Sequence, residues 1–365
     1  MERYTGRPLP EAPKIALTAN DALGNFAVCT PLAQALRHFH PGCRIDFYGG
    51  ERTAELERAS ARLPLGEGGL GGDDALFEWR ASLHGRPFAA AAREALRRRD
   101  EIGGYDLVIN VEAAPANRSL AALIGEGAFV CGPSLAPDSR GEWDFPDDER
   151  GDLWREKRWV DEDLPERYSF LETGFISELF IRLAYMGPIP DAPWTGGIPR
   201  YCLPSEEPGR PIPELLISTG ATLPKKLWPV SKWRELLTWT REQGMKAGLL
   251  GAPPKRQQEF YHSDRDEQAL VDEDLVEDLR GKLSLPQVVG ALSRARLVIT
   301  IDNGILHFAA ANDVTTIGLY RRGFDRLWSP PNPNLARLTP ETGDVASIET
   351  GAVFEKVETA LSGCT

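Results

Sequence analysis

Residues 297–319 read Leu297-Val298-Ile299-Thr300-Ile301-Asp302-Asn303-Gly304-Ile305-Leu306-His307-Phe308-Ala309-Ala310-Ala311-Asn312-Asp313-Val314-Thr315-Thr316-Ile317-Gly318-Leu319. The apolar, β-branched run 297–301 stops at Asp-Asn-Gly, which is the length and punctuation of a buried strand. A second such run spans 315–319, and the small-residue stretch between them, with Phe308 and Ala311 on one face, predicts a helix. A strand, a short helix and a strand in this order imply parallel pairing through a right-handed crossover. The fold class is therefore α/β.

The same rhythm extends outward from this unit. Leu215–Ser218 and Lys246–Leu250 read as strands around a helix marked by Trp233, Leu236, Leu237 and Thr240. In the first half, Lys14–Thr18, Arg44–Tyr48, Asp106–Val111 and Ala128–Cys131 are the strand candidates. A helix follows the first of them through Ala27, Pro31, Leu32, Ala35 and Leu36, with Pro31 expected early, where a missing N–H is tolerated. A further helix is expected from Leu171 to Met186. The proline-rich stretch 187–213 reads as a linker with an edge strand. Two doubly wound, Rossmann-like domains result, residues 1–200 and 201–345, facing each other across a cleft. The tail 346–365 is expected to form a helix that folds back on the first domain. Ligands of such sheets sit at the carboxyl ends of the strands.

Composition narrows the function. A length of 365 residues suits two domains, and 42% hydrophobic with 26% charged residues is ordinary globular usage. A net charge of −12 argues against a nucleic-acid binder and against a polybasic membrane face. With no apolar run long enough to span a bilayer and no basic-then-apolar start, a cytoplasmic protein without integral membrane association is expected. Cys29, Cys43, Cys131, Cys202 and Cys364 are scattered without a C-x-x-C pair, so structural thiols are expected and no metal site. The run Arg93, Arg97, Arg98, Arg99 reads as a solvated helix face.

Three strand-to-helix loops can carry chemistry. In Ser218–Pro229, Thr219, Gly220 and Thr222 offer small residues and hydroxyls, and Lys226 offers a point charge, before a helix whose expected cap is Ser231. That set would hold a diphosphate; a plain surface loop is the other reading. In the second loop Asp302 or Asn303 would cap the helix and Gly304 would allow close approach. Asp302 could bind a sugar or ribose hydroxyl. His307, one turn on, either points to the same crevice or fills the core. In the third loop, 18–25, Asp21 stands where a general base for an acceptor hydroxyl belongs, or else it forms an Asx turn. Gly66-Glu67-Gly68-Gly69-Leu70-Gly71 satisfies G-x-G-x-x-G literally, but no strand precedes it, so it reads as a loop.

Taken in order, Lys226-Leu227-Trp228-Pro229 with Trp233, Leu279-Arg280-Gly281-Lys282-Leu283-Ser284-Leu285, Asp302-Asn303-Gly304 with His307, and Trp328-Ser329-Pro330 resemble glycosyltransferase family 9, the ADP-heptose:lipopolysaccharide heptosyltransferases and their relatives. The resemblance implies a GT-B fold with the donor held mainly by the second domain. It also implies an inverting, metal-independent sugar transfer without a cofactor beyond the nucleotide-sugar co-substrate, ADP-heptose. By position, Thr222 and Lys226 look like diphosphate contacts, and Asp302, Asn303, Gly304 and His307 like the rest of the donor pocket. The family base is the Asp of a Gly-Asp pair opening the first helix; here the pair is Gly24-Asn25, which leaves Asp21 as the replacement. Arg321 and Arg322 replace a small turn and read as exposed. The acidic stretch 138–166, with Trp143, Trp154 and Trp159, suggests a neutral or cationic small glycoside as acceptor instead of lipopolysaccharide. The alternatives are a lipopolysaccharide core heptosyltransferase, a nucleotide-sugar-binding protein without turnover, and a GT-B-like epimerase or phosphorylase. The last would call for His in the first domain, where His38, His40 and His84 look peripheral.

Overall fold

The computed structural model describes residues 1–61, 75–138, 140–254 and 263–362. The 66–71 glycine motif and Cys364 lie outside the described residues. Contacts divide the chain into Met1–Cys202 and Leu203–Thr365, close to the expected boundary.

The first unit holds β1 (Glu2–Arg3), β2 (Lys14–Thr18), β3 (Arg44–Gly50), β4 (Trp79–His84), β5 (Leu107–Asn110) and β6 (Phe129–Cys131), in the spatial order β1-β6-β5-β2-β3-β4. The second holds β7 (Leu215–Ser218), β8 (Ala247–Leu249), β9 (Glu277–Asp278), β10 (Leu297–Ile301), β11 (Thr315–Leu319) and β12 (Leu335–Leu338), in the order β12-β11-β10-β7-β8-β9. Every pairing is parallel. Each chain path runs outward from a central strand, returns, and continues on the other side. The order therefore reverses between β2 and β5 and again between β7 and β10, and ligands of doubly wound sheets bind at such reversals.

Burial explains the apolar runs. All residues of β5, β7 and β10 are buried, as expected for parallel strands covered on both faces. In the second unit, Trp228 and Trp233 meet edge to face at 5.0 Å and pack with Leu215, Ile217 and Leu237. The C-terminal helix spans Thr350–Ser362 and joins this core, burying Val353 and Val357 and stacking Phe354 on Trp239 at 4.7 Å. The helix expected over 346–365 is present, and its apolar face packs within the second unit.

Several local expectations also shift. Pro31 sits in the middle of the helix Leu23–Phe39, not near its start. The Ala27 carbonyl, which the missing Pro31 N–H leaves without its usual donor, accepts the Thr30 hydroxyl at 2.8 Å. The helix expected over 171–186 is shorter, Ile176–Leu183, because the buried Glu178 carboxylate collects the N–H groups of Glu172, Thr173 and Gly174 and shapes them as a loop. Stretch 187–213 carries a single bridge, Trp194 with Ile198, and no strand. Cys29, Cys43 and Cys131 are buried free thiols and Cys202 an exposed one. Of the arginine run, Arg98 pairs with buried Asp46 at 2.7 Å and Arg99 reaches Glu126, so the face is only partly solvated.

Truncating a fully packed indole removes its contacts and leaves a cavity. Trp233→Ala is expected to destabilise the second unit by about 3–5 kcal/mol, read as the shift of that unit's transition in urea.

Candidate functional site

The second sheet builds its site at the carboxyl ends of β7 and β10. Asn303 is the N-cap of the helix Gly304–Ala310; its Oδ1 accepts the N–H groups of Ile305 at 3.0 Å and Leu306 at 3.4 Å. Its Nδ2 donates to Ser218 Oγ and to the Gly220 carbonyl, each at 3.1 Å. One side chain therefore fixes the start of a helix and the loop leaving the neighbouring strand. Of the two proposed caps, Asn303 is the one used.

Asp302 is 5% exposed and accepts the Lys226 ammonium at 2.7 Å, with a second contact from Nζ to the Asp302 carbonyl at 3.2 Å. Lys226, on the short 3-10 turn Pro224–Lys226, keeps 24% of its side chain exposed. The ion pair thus sets a positive charge over the strand ends without sealing it away. His307 is 2% exposed, and burial pushes its imidazole down to about 4; Asp302 opposes and Lys226 reinforces the shift. It is a neutral core histidine at ordinary pH, whose charge state both site residues feel.

The remaining predicted residues separate. Thr222 is exposed on the loop and Gly220 is buried with its carbonyl taken by Asn303. The Thr219 hydroxyl faces inward and donates to buried Glu267 at 2.9 Å, so it is not a free donor toward a ligand. Glu267 also accepts from Ser263 and lies 3.6 Å from buried Arg280, which pairs with Asp278 at 2.9 Å. Burial raises the Glu267 carboxyl against these partners. Ser231 caps nothing: the helix Val230–Glu242 starts at Pro229 without a side-chain cap. Arg321 stacks on Phe324 at 3.9 Å and Arg322 is exposed.

The first sheet has its own cluster at the carboxyl ends of β2–β5. Asp21 is held by Arg52 through both oxygens, at 2.6 and 2.9 Å. Burial acts to raise its carboxyl, but the Arg52 bonds and charge, with a contribution from His84, hold it below the usual carboxylate range. Gly50 makes this close approach possible, since a Cβ there would stand 2.0 Å from that of Asp21. Asn25 lies in the first turn of the helix Leu23–Phe39, and its amide has no acid–base function. His84, read as peripheral, in fact ends β4 beside Asp21. Glu112, which no motif singled out, follows β5 and accepts the Asn20 amide at 2.6 Å. Its only sequence signal was a carboxylate two residues beyond a buried strand.

Residues 205–357 match the family described as glycosyltransferase family 9 (heptosyltransferase), and this span contains the whole Lys226–Asp302–Asn303 arrangement. The match to glycosyltransferase family 9 lies within the second unit. Lipopolysaccharide heptosyltransferase 1 of Pseudomonas aeruginosa is 31% identical over 134 residues, 36% of this chain and 35% of that protein. The chain therefore aligns with about a third of that curated relative's length. Among solved structures, a family 9 glycosyl transferase from Veillonella parvula matches with a TM-score of 0.72 at 17% identity, over 98% of this chain and 100% of that one. The E. coli ADP-heptose lps heptosyltransferase II matches with a TM-score of 0.63 at 16% identity, over 96% and 99%. These likenesses show the GT-B fold across both units.

Within the second unit, the N-cap and the buried imidazole give separable predictions. Asn303→Ala is expected to cost about 0.5–2 kcal/mol by urea unfolding. Between its ordinary value of 6.5 and about 4, the unfolded chain binds a proton at His307 that the folded one refuses. Stability therefore falls as pH drops through that window, and His307→Gln is expected to flatten this part of the profile, measured as denaturation midpoints at several pH values.

Proposed function

We propose that the protein is a glycosyltransferase that binds a nucleotide-diphosphate sugar of the ADP-heptose type at the carboxyl ends of β7 and β10. It passes the sugar to an acceptor hydroxyl. The observation that carries this reading is the Lys226 ammonium, held by Asp302 and partly exposed, at the strand-order reversal inside the family 9 span. Phosphate oxygens suit a point-charge ammonium, and the charge that develops on a departing diphosphate is stabilised most by a cation already in place. The reading takes the transfer as inverting and metal-independent, with Lys226 supplying that charge. Gly220 and Thr222 belong to the loop before it, and Asp302 orients the lysine.

A second reading has specific support. Asn25 cannot take a proton and Asp21 is neutralised by Arg52, which suits a protein that binds donor without turnover.

For the acceptor we retain a neutral or cationic small glycoside, on the acidity of 138–166 alone. The tryptophans of that stretch are used internally: Trp143 lies under Arg3 at 4.2 Å, Trp154 stacks on Phe145 at 5.6 Å, and Trp159 donates to the Leu153 carbonyl.

Titration calorimetry with ADP, UDP, GDP and dTDP tests the donor site. ADP is expected to bind, and Lys226→Ala to weaken it by about tenfold or more, the loss of a charge-assisted phosphate contact worth ~1.5–3 kcal/mol. Absence of binding to all four would refute the donor reading, whereas binding without sugar consumption would favour the second.

A further inference from the structure

Resting on the transferase reading, we propose that Glu112 is the general base that takes the proton of the acceptor hydroxyl, in the place that sequence reasoning gave to Asp21.

The two carboxylates follow neighbouring strands, Asp21 after β2 and Glu112 after β5, but have opposite surroundings. Asp21 gives both oxygens to the Arg52 guanidinium. Glu112 accepts one side-chain hydrogen bond, from the neutral amide of Asn20 at 2.6 Å, and among the described residues no lysine or arginine forms an ion pair with it. Its charge is left for a substrate proton, while that of Asp21 is spent on a cation.

Position agrees with that difference. Glu112 is half-buried two residues past β5, beside β2, at the strand-order reversal of the first sheet. The backbone that carries it is fixed. Its N–H donates to Asn110 Oδ1 at 3.0 Å, the Thr18 hydroxyl shares that oxygen at 2.7 Å, and Asn110 Nδ2 donates to the Pro133 carbonyl at 2.6 Å. Asn20 is fixed in turn by accepting the Ala22 N–H at 2.9 Å. A base held on strand ends by neutral donors is oriented without being neutralised. The Cys29 thiol, buried on the first helix, senses Glu112: burial and this carboxylate push it up.

The step balances. As the acceptor oxygen bonds to the anomeric carbon, its proton passes to a Glu112 oxygen. The bond from that carbon to the diphosphate oxygen breaks, and its electron pair leaves on the nucleotide diphosphate. Asp21 and Arg52 act as a positioning pair that fixes the turn carrying Asn20.

The test uses the full chain with ADP-heptose as donor and two acceptors, a heptose-free lipopolysaccharide core fragment and a small aminocyclitol glycoside. ADP release is followed for the unsubstituted protein, Glu112→Gln, Glu112→Asp and Asp21→Asn, with ADP affinity measured alongside. Glu112→Gln is expected to lower kcat by about 10²–10⁴-fold with ADP affinity within about twofold, and to lose the acidic limb of the pH profile. Glu112→Asp should recover part of the rate, and Asp21→Asn should cost less than about tenfold. A Glu112→Gln rate within about threefold of the original with its acidic limb intact, or a larger loss in Asp21→Asn, would overturn the assignment to Glu112 while leaving the transferase reading standing. No turnover by the unsubstituted protein with either acceptor would overturn both.

Discussion

The Asn303 side chain is the fixed point around which the second unit's site is arranged. One amide caps a helix with its oxygen and ties down the β7 loop with its nitrogen, at Ser218 and Gly220. A short helix in the middle of a parallel sheet leaves its first N–H groups without partners, and a polar residue must supply them. Placing that residue at the strand-order reversal makes the cap part of the loop that approaches a ligand. Asp302, one residue earlier, is then directed at Lys226, and His307, one turn later, is buried beneath both.

The motif around Lys226 divides its work between packing and chemistry. Trp228 is buried, donates to the Ile348 carbonyl at 2.9 Å and meets Trp233 edge to face. These indoles anchor the loop to the core and so hold the lysine where Asp302 can reach it. Aromatic residues in a motif invite a reading as sugar platforms, yet here their faces are covered, as are those of Trp143 and Trp154 in the first unit. The ammonium is what remains open to solvent.

Central strands were legible in the sequence because burial on both faces demands unbroken apolar runs such as Leu297–Ile301 and Leu215–Ser218. The strands that escaped notice were β1, β4, β9 and β12, and these are the four sheet edges. An edge strand has a neighbour on one side only, is short or mixed in character, and needs no apolar run; Trp79–His84 and Glu277–Asp278 show this directly. The residues proposed for the donor side were singled out because their spacing forms an ordered set. The inward turn of the Thr219 hydroxyl was not readable, because its direction depends on Glu267, 48 residues away. Asp21 was readable as a carboxylate in a strand-to-helix loop, but its pairing with Arg52 was not, since that contact requires the path of β3. Glu112 and His84 carried no motif; only the sheet order brings them to the same rim as Asp21.

The central claim is that the reversal between β7 and β10 holds the nucleotide diphosphate. Amide hydrogen exchange of the full chain with and without saturating ADP tests it most directly. Slowed exchange in residues 218–226 and 302–307 is the predicted result. Unchanged exchange in both segments, with protection confined to the first unit or absent altogether, would contradict it.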